Sequence, residues 1–136
     1  MERILDWNKY LDTAAKMVSE GIVMLKNENN ALPLDTDKEV AVFGRIQFHY
    51  YKSGTGSGGM VNVTKVVNIL DGLIDNGVKV NEKLLDTYRK WDKENPFDLG
   101  EGWGGEPWSQ KEMPLDEGLV KETAKSCETA IVIIGR

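Results

Sequence analysis

Residues 39–44 read Glu-Val-Ala-Val-Phe-Gly, and this stretch decides the fold. Its apolar residues follow one another without alternation, which is typical of a strand buried on both faces of a sheet. Residues 129–134, Thr-Ala-Ile-Val-Ile-Ile, repeat the pattern, and residues 78–80, Val-Lys-Val, form a shorter candidate strand. Strands of this kind belong to parallel sheets that have helices above and below them.

Helical segments separate these strands. Apolar residues recur at helical spacing in four segments, and each segment is preceded by a residue suited to capping a helix: Asp6, Asn62, Asn81 and Asp116. The second helix is predicted to run from Val63 to Ile74, and Asn76-Gly77 is typical of its end. The order of elements predicts an α/β fold, a three-layer α/β/α sandwich with a mainly parallel sheet that is truncated after about three strands. We treat residues 1–136 as one partial domain.

Composition excludes several classes of partner. The net charge is −5 and the basic residues are scattered, which argues against nucleic acid and anionic membrane surfaces. No apolar run approaches the roughly 18 residues of a membrane span, and the first residues lack the apolar core of a secretion signal. The single cysteine, Cys127, fits a reducing compartment. We therefore expect a cytoplasmic protein that binds neither nucleic acid nor membrane.

The connection after the first strand carries the strongest functional signal. Residues 54–59 read Gly-Thr-Gly-Ser-Gly-Gly, a run that lets the backbone approach a ligand closely. In α/β folds, connections at this end of a strand face the ligand. Gly54, Gly56 and Gly59 match a dinucleotide-binding pattern, but they lie far from the strand, and the next strand is followed by Asn81 rather than an acidic residue. A plain surface loop is the other alternative.

A few other side chains could carry chemistry. His49 is the only histidine and lies among aromatic residues, so a packing role is predicted rather than a metal site. Cys127 is predicted to be a small core residue. Residues 95–115 are rich in glycine and proline and form a long loop. That loop contains two tryptophans and two glutamates: Glu101, Trp103, Glu106 and Trp108. They could stack on a sugar ring and bind its hydroxyls, or pin the loop to its own domain.

Several segments together closely resemble a known family. They are residues 14–34, 40–44, 52–58, 68–73 and 130–136. The family is glycoside hydrolase family 3, and the resemblance is to its α/β sandwich domain, over nearly the whole chain except residues 95–112.

This resemblance implies a retaining β-glucosidase that needs no cofactor and acts on a β-glucoside or related saccharide. Such an enzyme is built from a (β/α)₈ barrel, which supplies an Asp nucleophile, and this sandwich. The sandwich supplies a Glu general acid/base on the loop that follows the strand ending here at Arg136. The chain would then hold neither catalytic carboxylate and would be inactive alone. Its partner would be the barrel domain of the same enzyme.

The resemblance carries over one sugar-binding residue. Ser57 matches the serine that lies at subsite −1, and Thr55, Gly56 and Gly58 shape the loop around it. A hydroxyl suits this role because it can both donate to and accept from a sugar hydroxyl. Met1 lies shortly before the family-like segment, so a native start there would imply that the sandwich precedes the barrel.

A non-enzymatic alternative stays open. A sheet of about three strands has an exposed edge that invites pairing, so the chain could be an α/β binding or assembly module or form a homo-oligomer through that edge.

Overall fold

The computed structural model describes residues 5–49, 65–102, 105 and 107–134. The chain divides into two compact units, Met1–Pro33 and Leu34–Arg136, which are described separately. Among the described residues, no helix is both long and apolar enough to cross a lipid bilayer.

The first unit contains helix α1, Trp7–Gly21. Its N-terminal cap is Asp6, as predicted, because the Asp6 carboxylate accepts a hydrogen bond of 3.1 Å from the Lys9 N–H. After the helix the chain turns through Asn29 and Asn30, which both have positive φ. Asparagine tolerates this conformation better than most residues do. The predicted helix and turn are therefore both confirmed.

The second unit is built on a parallel sheet of three strands in the described part of the chain. The strands are β1 (Glu39–Phe43), β2 (Lys79–Val80) and β3 (Thr129–Val132), in the spatial order β2-β1-β3. β1 lies in the centre and is buried along most of its length. The three predicted strands and their parallel arrangement are confirmed.

Helices cover both faces of β1, which confirms the layered fold. They are α2 (Ile69–Asp75), α3 (Glu82–Glu94) and α4 (Glu117–Ser126). One face of β1 packs on α2, in a cluster that includes Val40, Val42 and Leu70. The other face packs on α3 and α4, in a cluster that includes Ala41, Leu84, Tyr88 and Leu119. Alternate β1 side chains therefore enter two separate cores.

Helix α2 begins later than the sequence predicts. The predicted cap, Asn62, and the predicted first residue, Val63, lie outside the described residues, and residues 65–68 are not helical. The helix starts after Asn68, whose side chain accepts a hydrogen bond of 2.7 Å from the Asp71 N–H. The side-chain cap at Asn68 therefore fixes the start of α2. The helical spacing of apolar residues extends further towards the N-terminus, and it predicted a start that was too early.

The other predicted helix boundaries are correct. Asn81 and Asp116 cap α3 and α4 by accepting hydrogen bonds from backbone N–H groups three residues later. α2 ends at Asp75, and Gly77, two residues beyond it, has a φ of 77°. The N–H of Gly77 donates to the carbonyl of Ile74 and the N–H of Val78 donates to that of Leu73, so two carbonyls of the last turn are satisfied.

Strand β3 departs from the prediction of burial on both faces. Its residues alternate between half-buried and exposed, and Val132 is 66% exposed. Ile134, just beyond the strand, is 92% exposed. The alternation follows because successive side chains point to opposite faces of the sheet, and the described residues cover only one face of β3. Ile131 packs on the α2 side, whereas no described helix of this unit buries the face that carries Val132.

Candidate functional site

The strand order singles out one edge of the sheet. The chain runs from β1 to β2 on one side, then crosses back over β1 to reach β3 on the other side. Ligands of open parallel sheets bind beside the carboxyl ends of the strands, at the point where the order reverses. The carboxyl ends of β1 and β3 therefore form the candidate site, called the carboxyl edge below.

Gly44 closes β1 at the carboxyl edge and has no room for a side chain. Its φ is 111°, and a Cβ atom there would lie 2.5 Å from the carbonyl oxygen of Ile133. Its N–H donates a hydrogen bond of 3.0 Å to the hydroxyl oxygen of the buried Tyr88. Its carbonyl accepts one of 3.0 Å from the side-chain amide of Gln47, which is fully buried. Backbone and side chains thus hold the end of β1 rigidly.

Burial also changes the chemistry of Tyr88. Desolvation of the phenol raises the pKa of Tyr88 above its ordinary value of 10.0, the hydrogen bond from Gly44 opposes this rise, and the charge of Glu112 adds to it. The neutral, protonated form of Tyr88 is therefore favoured, and the phenol serves the core as a hydrogen-bonding group.

Arg45 follows Gly44 and begins a short 3₁₀ turn, Arg45–Gln47. Although it is charged, Arg45 is only 3% exposed. Its guanidinium Nη2 donates a hydrogen bond of 2.6 Å to Asp92 Oδ1 on α3. The guanidinium carbon lies 4.9 Å from the ring centre of Trp91 and 5.3 Å from that of Phe97. A carboxylate and two aromatic rings therefore compensate a charge that would otherwise be costly to bury.

The same guanidinium joins the two ends of the long loop. Nη2 donates to the carbonyl of Asn95 at 2.7 Å, and Nη1 donates to the carbonyl of Lys111 at 2.8 Å. The backbone N–H of Arg45 donates to the carboxylate of Glu112 at 3.0 Å. Glu112 also accepts a bond of 2.8 Å from the N–H of Met113, which is buried in the core. Both ends of the long loop are therefore hydrogen-bonded to one buried residue, Arg45.

His49 lies beside this cluster and packs as predicted. Its Nε2 is 2.7 Å from Asp92 Oδ2, so the two oxygens of Asp92 serve Arg45 and His49 separately. The imidazole stacks on Phe97, with ring centres 4.5 Å apart and planes inclined by 23°. In the described ranges, no group of three or more His, Cys, Asp or Glu side chains is placed to hold a metal ion.

The residues predicted to bind sugar lie outside the described residues. These residues are Thr55, Gly56, Ser57 and Gly58, and Trp103 and Glu106 of the long loop also lie outside. Trp108 is 81% exposed, and Glu101 is exposed as well. Cys127 is buried beside Ala41 and Leu84, which confirms its predicted core role.

Sequence reasoning missed the Arg45 cluster. Asp92 and Glu112 are far from Arg45 in the sequence, and each resembles an ordinary surface residue of a helix or loop. One signal was available, because a charged residue directly after a buried strand and its terminal glycine lies at the ligand-facing edge of a parallel sheet.

The opposite edge of the sheet, called the amino edge, has a different character. Lys38 and Glu128, which precede β1 and β3, form a hydrogen bond of 2.6 Å in solvent. This bond and the charge of Lys38 lower the pKa of Glu128. Lys83 and Glu122 form a second exposed ion pair on α3 and α4. That pair borders a shallow cleft of about 220 Å³ lined by Asn81, Lys83, Leu119, Glu122, Thr123 and Ser126.

Comparison with known proteins identifies the family. A family model described as the glycosyl hydrolase family 3 C-terminal domain matches residues 22–136. The chain belongs to glycosyl hydrolase family 3. This family 3 chain is 61% identical over 132 residues to a β-glucosidase of Ruminococcus albus, a match that covers 97% of the chain and 14% of that protein.

Solved structures agree with this family 3 assignment. A β-glucosidase from Paenibacillus barengoltzii superposes with a TM-score of 0.85 at 54% identity, covering 92% of this chain and 14% of that one. β-Glucosidase 3B from Thermotoga neapolitana, solved in complex with α-D-glucose, gives a TM-score of 0.82 at 30% identity and covers 96% of this chain and 18% of that one. The family 3 chain therefore spans only a small part of the length of these relatives.

Proposed function

We propose that this chain is part of a β-glucosidase, in which it forms one wall of the saccharide site. The observation that carries the proposal is the 61% identity to the Ruminococcus albus β-glucosidase over 97% of the chain. This identity supports a shared reaction as well as a shared fold. The substrate class is then a β-glucoside or a closely related saccharide.

The carboxyl edge is the part of the chain that suits a wall of the site. The connection after β1, which leads through Arg45 to the glycine-rich residues 54–59, starts there, and β3 ends there. The connection after β1 and the end of β3 flank the point where the strand order reverses, and parallel sheets bind ligands at such a point. Ser57 is proposed to hydrogen-bond a sugar hydroxyl from the first connection, and Thr55, Gly56 and Gly58 would let the loop approach the ring.

We further propose that the catalytic carboxylates lie elsewhere in the enzyme. Two acidic residues at the carboxyl edge, Asp92 and Glu112, are fully engaged with Arg45, His49 and a backbone N–H. A nucleophile or general acid must instead face the glycosidic bond, with two carboxyl groups about 5–5.5 Å apart in a retaining enzyme. The barrel domain would supply the nucleophile, and residues after Arg136 would supply the acid/base.

A chimera tests the proposal. In it, this chain replaces the matching segment of the Ruminococcus albus enzyme, and hydrolysis of an aryl β-glucoside is measured. The folded chimera should turn over the substrate and release β-glucose first, as a retaining enzyme does, whereas the purified 136-residue chain should release none. A folded but inactive chimera would contradict the proposed function, and activity of the chain alone would contradict the location of the carboxylates.

Ser57→Ala in the same chimera tests the binding residue. The loss of one sugar hydrogen bond should reduce transition-state binding by about 0.5–1.5 kcal/mol, read as a fall in kcat/KM. Ser19→Ala is the control, because the Ser19 hydroxyl bonds to the backbone of its own helix. Equal kcat/KM values for the two variants would remove Ser57 from the site.

A further inference from the structure

The loop between α3 and α4 is fastened at two levels by described residues. The Arg45 guanidinium joins the carbonyls of Asn95 and Lys111, and the Lys111 ammonium also bonds to the Asn95 side chain at 2.7 Å. Further along, the side-chain amide of Gln110 bonds to both the N–H and the carbonyl of Asp98, at 3.0 and 2.6 Å. The described residues 95–98 and 110–111 are therefore joined to each other, and residues 95–112 are called the clasped loop below.

Arg45 places this loop at the candidate site. It lies on the same connection as Ser57, directly after the end of β1. Its own position is fixed by Asp92, by the rings of Trp91 and Phe97, and by Glu112, which holds its backbone. The guanidinium is almost fully buried and so cannot meet a substrate itself. Arg45 would therefore affect substrate binding by positioning the groups to which it is bonded.

Trp108, in the described part of the clasped loop, presents an aromatic side chain to solvent. Trp108 lies two residues before Gln110, close to the fastened base, and its side chain is 81% exposed. An indole combines a large apolar face with a polar N–H, which suits the C–H face and hydroxyls of a pyranose. Because the base of the loop is already ordered, little conformational entropy would be lost when a ligand binds.

We propose that Trp108 is a saccharide-binding residue and that Arg45 is its positioning residue, holding the clasped loop beside the sugar site without touching the substrate. This inference rests on the proposed function and adds a second binding element to it. Trp108 would contribute to substrate binding in the ground state and in the transition state alike. Its loss should therefore raise KM and leave kcat nearly unchanged.

The experiment uses the full-length chimera with this chain in the Ruminococcus albus β-glucosidase. Trp108→Ala and Arg45→Ala should each raise KM for an aryl β-glucoside by about three- to tenfold, with kcat within about twofold of the parent. The double variant should be no worse than Trp108→Ala alone, because both changes remove the same contact. Arg45→Lys should give an intermediate KM, since an ammonium pairs with Asp92 but cannot join both carbonyls in one plane.

Matched controls separate this role from a structural one. Trp7→Ala removes another exposed tryptophan, and Arg89→Ala removes an exposed arginine of α3, so both should leave KM unchanged. Hydrogen exchange should quicken in residues 95–102 of Arg45→Ala, while α3 keeps its protection.

Each result has a defined meaning. Unchanged KM in Trp108→Ala, a fall in kcat at constant KM, or additive effects in the double variant would overturn the inference, while the active parent would still support the proposed function. An inactive but folded parent would overturn both. If Arg45→Ala fails to fold, Arg45→Lys and Trp108→Ala still decide the matter.

Discussion

The two edges of the sheet hold their charges in opposite ways. At the amino edge, Lys38–Glu128 and Lys83–Glu122 are ion pairs in open solvent. At the carboxyl edge, Arg45 is buried, and Asp92 and two aromatic rings surround it. Exposed pairs contribute little to stability because water and salt screen them, whereas a buried charge must keep its partner. The charges at the carboxyl edge therefore fix geometry, whereas those at the amino edge contribute little to stability.

The largest effect that this contrast predicts is for Asp92→Asn. Removal of the carboxylate leaves the Arg45 charge buried without its counter-ion, which should lower the free energy of unfolding by about 3 kcal/mol. Urea unfolding of the purified chain measures the change. Glu122→Gln is the control at the amino edge, and it should leave the unfolding midpoint where it was. Similar midpoints for the two variants would show that the edges do not differ.

Gly44→Ala should have the next largest effect. An alanine at position 44 would have to adopt a φ of 111°, and its Cβ would lie 2.5 Å from the Ile133 carbonyl oxygen. We therefore expect the free energy of unfolding to fall by about 2–3 kcal/mol. Gly77→Ala is the control, because Gly77 also has a positive φ but has open space around it. Thermal and urea unfolding should rank Gly44→Ala as the more damaging variant. If Gly77→Ala were the more damaging variant, the backbone at the end of β1 would have to shift at little cost to make room for a side chain.

Tyr88→Phe should have a smaller effect. It leaves the N–H of Gly44 buried without an acceptor, at a cost of about 1–2 kcal/mol. The exposed Tyr10→Phe is the matched control and should change nothing measurable. Loss of stability in Tyr10→Phe alone would contradict the role given to the buried phenol.

The same tyrosine predicts a dependence on pH. Its pKa is raised in the folded chain, so its neutral form is favoured there, and its contribution is complete below the ordinary value of 10.0. That contribution is lost as the pH rises from about 10 through the folded pKa. Urea unfolding between about pH 8 and pH 11 should show that the stability difference between the parent and Tyr88→Phe shrinks with rising pH. A constant difference would show that the phenol is not desolvated.

The smallest effect is expected at the amino edge. Lys38→Met should let the pKa of Glu128 rise towards its ordinary value, because the hydrogen bond and charge that lower it are gone. A carboxyl titration by NMR would detect this. The unfolding midpoint should stay the same at low and high salt. A clear loss of stability in Lys38→Met would show that the Lys38–Glu128 pair stabilises the fold as the buried charges do.

The sequence was sufficient to predict the layers of the fold. Val40, Ala41 and Val42 are consecutive apolar residues, and only a central parallel strand buries all three. The caps Asp6, Asn81 and Asp116 were found because each side chain acts on a backbone group three residues away. The start of α2 was missed because an apolar period has no sharp beginning, whereas the cap at Asn68 does.

The site was only partly accessible from the sequence. The family was found through its combination of local segments, and the roles of Ser57 and its neighbours stay predictions, as does the cytoplasmic location. The Arg45 cluster joins residues 47 to 67 positions apart, and no local pattern encodes such a meeting. It depends on the tertiary fold, which brings the end of α3 and the loop after it against the end of β1.

Gly44 has a practical consequence for anyone who redesigns this enzyme family. Its N–H and its carbonyl are already bonded, and Ile133 occupies the space of a side chain. A graft that replaces the connection after β1 must therefore leave the residues through Gln47 intact and make its junction beyond them. In libraries that randomise this connection from Gly44 onward, we expect most variants to lose the packing of residue 44 against Ile133 and to fold poorly.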